Sequence, residues 1–384
     1  MHRRFLVLAA AGALAASCGR GERGSGPAPV PGPDAAVAPL PGPGPASLGD
    51  AGGTAAAADV PRVLGPMPSL APLVERIRPS VVNIVAAQQT RQIMVDPWGR
   101  RYWVPRTSES LGSGFIVDAE GHVLTNDHVI GRANVISVQL DDGREAPAKL
   151  VGRDDRIDLA VLDIDVEGLA PLELGDSDGV QVGDYVVAIG NALGLSNTVT
   201  AGIISAVGRE VQADTPGYAD FIQTDASINQ GNSGGPLVDL EGRAIGINTM
   251  ITAEGQGIGF AVPINMVKQV LPQIVAHGDM ARSWLGVLWR QLDADAVRQL
   301  GLPPSPVPGA GRVVVVDVIP DGPAQQGGLR PNDVILAFGD QRIDRPVLFP
   351  WTVSTAPIGR PVDIEIWRDG SAAHVTVVPM EVPQ

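Results

Sequence analysis

Between residues 81 and 262 the chain is cut into eleven short apolar runs, with no helical period between them. They fall at 81–87, 114–117, 122–125, 135–140, 159–164, 185–189, 198–207, 221–224, 236–240, 243–249 and 258–262. Turn-forming residues separate them, and closely spaced short strands of this kind close into a sandwich or a pair of barrels. Glycine and proline make up 81 of the 384 residues, against about 12% in an average protein. Helix bundles and coiled coils are thereby excluded. The predicted fold class is mainly β.

Two helices frame the strands. Leu70, Leu73, Val74 and Ile77 share one helical face, and Pro79 stops it. A second helix is predicted over 264–276, kinked at Pro272 and ended by Gly278. Beyond Met280 the pattern changes to strands at 313–319, 334–338, 362–367 and 373–378 with Gly-rich turns. The predicted domains are 69–279 and 280–384.

Residues 1–18 read as a signal segment. Arg3 and Arg4 precede an apolar core that is too short to span a bilayer. Cys18, the single cysteine, follows small residues directly after that core. This resembles a bacterial lipoprotein processing site, where the cysteine is acylated and becomes the mature N-terminus. Gly19 follows where an Asp would suggest inner-membrane retention, so the expectation is outer-membrane attachment. Residues 19–68 contain 22 Gly or Pro in 50 positions. Such a run cannot bury enough apolar area to offset chain ordering, and it reads as a disordered tether.

The net charge of −14, with only Lys149 and Lys268 as lysines, argues against nucleic acid as a partner. A single cysteine allows no internal disulfide and no cysteine-based metal site. No metal or cofactor is expected.

Three segments carry chemistry. Thr125-Asn126-Asp127-His128-Val129 supplies a histidine, Asp158-Leu159-Ala160-Val161-Leu162 an acid, and Gly231-Asn232-Ser233-Gly234-Gly235 a serine. A serine hydroxyl needs a base to remove its proton during attack. His128 is the candidate base, and Asp158 the group that fixes its tautomer and stabilises the imidazolium. The glycines around Ser233 allow a tight turn that aims the N–H groups of Gly231 and Ser233 at one point, an oxyanion hole. The order His, Asp, Ser is that of chymotrypsin-like barrels. His122 reads as a surface or packing residue.

From about residue 70 to the end, the chain resembles the HtrA/Deg family of serine proteases. Further stretches carry the likeness: 112–116, 182–191 and 223–226. The resemblance implies a chymotrypsin-like double β-barrel followed by one PDZ domain of α+β structure. Ser227 stands where a trypsin-type pocket holds its acid, so cleavage after Arg or Lys is disfavoured. Ile228 and Ile251 would line a shallow apolar pocket for small or medium aliphatic residues. Arg209 matches the family's sensor arginine. Residues 88–110, with Trp98, Tyr102 and Trp103, form an insertion that in the family aids assembly or shields the site. Trp284-Leu285-Gly286-Val287 resembles the PDZ carboxylate-binding loop, which binds peptide C-termini. Pro346 and Pro350 fall where the PDZ binding helix is expected and would shorten it.

The resemblance implies a periplasmic endopeptidase for misfolded proteins that assembles as a trimer or its multiples. Two other readings fit the same motifs: a chaperone or holdase that binds more than it cuts, and a regulatory protease with one client.

Overall fold

The computed structural model describes residues 69–191, 198–209, 220–229, 231–249, 257–307 and 310–383. The signal segment, tether, Cys18 and Ile251 lie outside the described residues, as does the side chain of Arg209.

The first helix, α1 (Ala71–Ile77), buries Leu73 and Ile77. Six strands follow: β1 (Val81–Val95), β2 (Arg101–Ile116), β3 (His122–Thr125), β4 (Val135–Gln139), β5 (Glu145–Asp154) and β6 (Leu159–Ile164). They close into an antiparallel barrel in the order β1-β2-β3-β6-β5-β4. A single helical turn, α2 (Asp127–Ile130), leaves the end of β3. Alternating positions such as Val82, Ile84, Ile116, Val123, Val138 and Leu162 fill the barrel interior.

The second barrel repeats the design with β7 (Tyr185–Gly190), β8 (Thr198–Arg209), β9 (Phe221–Thr224), β10 (Pro236–Val238), β11 (Ala244–Thr249) and β12 (Gly259–Pro263). Its order is β10-β11-β12-β9-β8-β7. The predicted double barrel is present. The largest core cluster lies between the barrels, where Phe115, Leu124 and Leu159 meet Ile189, Val238 and Ile247. Helix α3 (Ile264–His277) packs Ile264, Val267, Val270 and Ile274 into that cluster. Pro272 lies inside it, and Gly278 ends it at φ 87°, as the sequence suggests.

The C-terminal module contains β13 (Ser283–Trp284), β14 (Val287–Leu292), α4 (Ala294–Gln299), β15 (Arg312–Val318), α5 (Pro323–Gln326), β16 (Val334–Phe338), β17 (Gln341–Arg342), α6 (Phe349–Ser354), β18 (Val362–Arg368), β19 (Ser371–Val377) and β20 (Met380–Glu381). The main sheet has the order β14-β15-β16-β18-β19, so β14 is an edge strand. Helix α6 has only six residues, with Pro350 in its first turn where a missing N–H does no harm.

The insertion at 88–110 has a structure that the apolar runs did not announce. β1 and β2 stay paired in unbroken register from Val81↔Phe115 out to Val95↔Arg101, so the insertion is a two-stranded ribbon. Asp96 closes its tip by accepting from the backbone N–H groups of Trp98 and Arg100 and pairing with the Arg100 side chain at 2.8 Å.

Candidate active site

The first barrel contributes two of the three predicted groups. β3 delivers Asn126 and then His128 on α2, and Asp158 stands just before β6. Asp158 sits at φ 54°, in the left-handed region. Such a conformation costs about 1–3 kcal/mol and persists only when its surroundings enforce it. Here the Asn126 Nδ2 amide donates to the Asp158 carbonyl at 3.1 Å. The His128 backbone N–H donates to Asp158 Oδ1 at 3.0 Å, and the Thr249 hydroxyl donates to Oδ2 at 2.8 Å. The strained residue thus aims its carboxylate at the ring: Oδ2 lies 2.7 Å from His128 Nδ1.

A proton on Nδ1 facing the carboxylate leaves Nε2 as an acceptor. Nε2 lies 3.3 Å from the hydroxyl of Ser233, which is buried. The same hydroxyl is 3.4 Å from Asn126 Oδ1. Burial pushes the His128 pKa down. The hydrogen bond to Asp158, its charge and that of Asp127 outweigh the burial, so the imidazole titrates above its ordinary value.

The second barrel presents Ser233 on a turn before β10. At Gly234, φ is 85° and an added Cβ would lie 2.3 Å from the Ser113 carbonyl oxygen. Gly190, at the end of β7, leaves room for the same turn: a Cβ there would lie 2.3 Å from the Gly231 carbonyl oxygen. The Ser113 N–H donates to the Ser233 carbonyl at 2.9 Å, so β2 and the serine turn are tied together.

The proposed oxyanion donors point elsewhere in this state. The Gly231 N–H donates to Asn229 Oδ1 at 2.9 Å, and the Ser233 N–H donates to the Asn229 carbonyl at 3.1 Å. Both donors are thus engaged by one residue rather than converging on open space. A tight glycine turn permits either orientation, and local hydrogen bonding decides between them.

Of the pocket residues, Ser227 uses its carbonyl to accept from Asn232 Nδ2 and Thr200 Oγ1, each at 2.9 Å. Ile228 packs against the second barrel's core, where a Cβ on Gly259 would come within 2.5 Å of it. Arg209 closes β8 opposite Phe221. His122 pairs with Asp118 at 2.6 Å and takes no part in the site.

In the C-terminal module Trp284 belongs to β13, Leu285 is buried, and Gly286 turns at φ 75° under the Trp284 ring. The Leu285 and Gly286 carbonyls accept from Ala324 and Ile319, each at 2.8 Å. Val287 opens the exposed edge strand β14, whose Trp289 meets Phe349 of α6 edge to face at 5.6 Å.

Residues 112–247 match the family model of the trypsin-like peptidase domain, and 284–378 match that of the PDZ domain. A protein of Marinomonas sp. (strain MWYL1) named "Probable periplasmic serine endoprotease DegP-like" is 38% identical over 340 residues, covering 81% of this chain and 71% of that protein. This chain belongs to the HtrA/DegP-like family of serine endoproteases. A relative of the same name from Ectopseudomonas mendocina is 39% identical over 350 residues, spanning 83% of this chain and 72% of its own length. The solved HtrA-type protease AlgW with decapeptide aligns at TM-score 0.65 and 41% identity, covering 82% of this chain and 99% of AlgW. The serine endoprotease from Yersinia pestis aligns at TM-score 0.56 and 33% identity, over 82% and 99% of the two chains. The chain is therefore a serine endopeptidase with a trypsin-like double barrel and one PDZ domain.

Sequence reading gave no role to Asn126, Thr249 or Asn229. Asn126 lies within the His128 segment Thr125-Asn126-Asp127-His128-Val129. Thr249 ended an apolar run and carried no separate signal.

Proposed function

We infer that this HtrA/DegP-like endopeptidase cleaves unfolded or misfolded proteins of the bacterial periplasm through an acyl-enzyme. In this reading the protease domain spans 69–279 and the PDZ domain 280–384. Ser233 Oγ attacks the scissile carbonyl while His128 Nε2 takes its proton. Asp158 holds the ring and stabilises the imidazolium. The N–H groups of Gly231 and Ser233 turn from Asn229 toward the developing oxyanion, each worth about 3–4 kcal/mol there. His128 returns the proton to the leaving amine, and the acyl ester then yields to water by the same steps in reverse order.

A pocket formed by Ser227, Ile228 and Ile251 favours small or medium aliphatic residues, with loose selectivity. Residues 284–287 and the edge of β14 bind substrate or activator C-termini by strand addition. Arg209 senses the active-site loops, the protease domains assemble as a trimer, and Cys18 carries the lipid that attaches each subunit to the outer membrane. The periplasmic assignment rests on the relatives' names.

The continuous contact from Ser233 through His128 to Asp158 carries this reading. A fluorophosphonate probe tests it: wild type is expected to label and Ser233→Ala is not. Absence of labelling even with an activating peptide and denatured protein present supports a holdase instead. The engagement of both oxyanion donors by Asn229 favours a second reading within the same chemistry, a protease held off until a C-terminal peptide binds. It expects slow casein digestion that a PDZ-binding peptide accelerates.

A further inference from the structure

The ribbon formed by β1 and β2 projects beyond the first barrel and exposes large apolar side chains near its tip. Trp98 is 79% exposed and Trp103 64%. Ile93, Met94, Val95 and Tyr102 are exposed as well. A two-stranded hairpin is marginal in water unless something covers it. The backbone indicates where a cover would sit.

At Ser113 both main-chain groups face away from β1. Its N–H donates to the Ser233 carbonyl, and its carbonyl accepts from the Thr125 hydroxyl. The register between β1 and β2 has no bulge, so this parity carries outward along β2 at every second residue. Gln89 of β1 confirms it independently. It lies opposite Thr107, and its N–H and carbonyl are both turned outward onto the Asn134 side chain. Leu111, Glu109, Thr107, Pro105, Trp103 and Arg101 therefore present their main-chain groups on the outer edge of β2. Pro105 presents only its carbonyl.

The two edges of the ribbon differ. Asn134 covers part of the β1 edge, whereas among the described residues β2 meets a second strand only at Phe115 and Ile116. The open edge is about 34 Å long at about 3.4 Å per residue. It ends two residues before Ser113, which is bonded to the backbone of Ser233. Trp103 and Ile93 face each other across the ribbon and share one face with the outward-turned positions.

We propose that the free edge of β2, from Arg101 to Leu111, is an exosite that captures extended segments of substrate polypeptide by strand addition. Its occupant follows from where the edge leads. An open strand edge takes any extended chain, and this one is continuous with the β2 segment that supports the nucleophile's turn. A chain laid along that edge ends within two residues of Ser113 and so beside the Ser233 turn. The residues from 88 to 110 carry four arginines against two acids, a positive segment in a chain of net charge −14. The apolar pair Trp103 and Ile93 supplies side-chain contact for segments that are buried in folded proteins.

The proposal rests on unfolded chains being the substrates. Thr107→Pro tests it by removing one outward N–H while leaving the β1 ladder intact, as Pro105 already does two residues away. Trp103→Ser is the second variant. KM is measured for reduced, carboxymethylated α-lactalbumin and for a short chromogenic peptide, with the mass of the assembly followed by light scattering. Each variant is expected to raise KM for the long chain about five- to tenfold, with kcat, short-peptide turnover and mass unchanged. Unchanged KM for the long chain in both variants overturns the proposal. A fall in the mass of the assembly also overturns it, because the edge then joins copies of this chain. Wild type that cuts the short peptide but not the unfolded chain sinks the substrate reading itself.

Discussion

At the residue scale the chemistry turns on what His128 and Asn229 hold. In the proposed mechanism His128 must be neutral to accept the Ser233 proton. Asp158 and Asp127 raise its pKa, so kcat/KM is expected to fall as pH drops through a value above the ordinary of about 6.5. Asp158→Asn removes the carboxylate's hydrogen bond and charge. Its acid limb should move to lower pH, and kcat should fall about 10⁴-fold because the ring loses its fixed tautomer. A pH–rate profile of both proteins checks the two effects. Asn229 acts in the opposite sense. Its side-chain bond to Gly231 stabilises the engaged state by about 1 kcal/mol. Asn229→Ala should raise basal peptide turnover about fivefold with little change in KM; a decrease counts against that role.

At the element scale the site depends on close approach between strand ends. Gly190 ends β7 against the Gly231–Asn232 backbone, with an added Cβ 2.3 Å from Asn232 Cα. The two nearest obstacles, Asn232 Cα and the Gly231 carbonyl oxygen, are main chain and cannot swing aside. Gly190→Ala should cost about 1–3 kcal/mol of stability and at least tenfold in kcat, read by thermal melting and fluorophosphonate labelling. The apolar runs in the sequence located most strands but not the ribbon. Residues 88–92 and 106–110 are polar or charged, so hydrophobic patterning ends both strands too early. Backbone pairing continued by the Asp96 turn extends them. β5 was missed for a related reason: it alternates around Pro147 and Lys149 and offers no continuous apolar run. In contrast, α6 is short because Pro346 and Pro350 permit helix only from their own first turns onward.

At the scale of the whole molecule, the PDZ domain is fastened to the protease by charges and one tryptophan. Trp351 of α6 joins the core between the barrels and donates from its indole to Gln269 of α3 at 2.8 Å. Arg282 stacks over that ring at 5.3 Å and pairs with Asp154 of β5. Arg345 pairs with Asp220, which precedes β9, at 2.9 Å. Burial outweighs the arginine there and pushes the Asp220 carboxyl up to about 6. The protonated form is thus the one the fold prefers. That advantage is complete below the unfolded value of about 4 and is lost as pH rises through about 6. Asp220→Asn should therefore gain relative to wild type between about pH 4 and 6, by up to about 3 kcal/mol, and hold that gain above. Parallel melting curves across this range check it; a constant difference at every pH would count against it.

The sequence by itself determined the β class and the two helices that frame the barrels, and it singled out His128, Asp158 and Ser233, in that order, as candidates. Those follow from patterning within a few residues and from residue types that chemistry restricts. Only the tertiary structure decided that Thr249 and Asn126 brace a strained Asp158, that Asn229 engages the N–H groups of Gly231 and Ser233, and that β2 runs on as an open edge away from Ser233. Each of these depends on hydrogen bonds or free edges between segments distant in the chain, or on which of two orientations a glycine turn adopts. Neither leaves a periodicity for the sequence to carry.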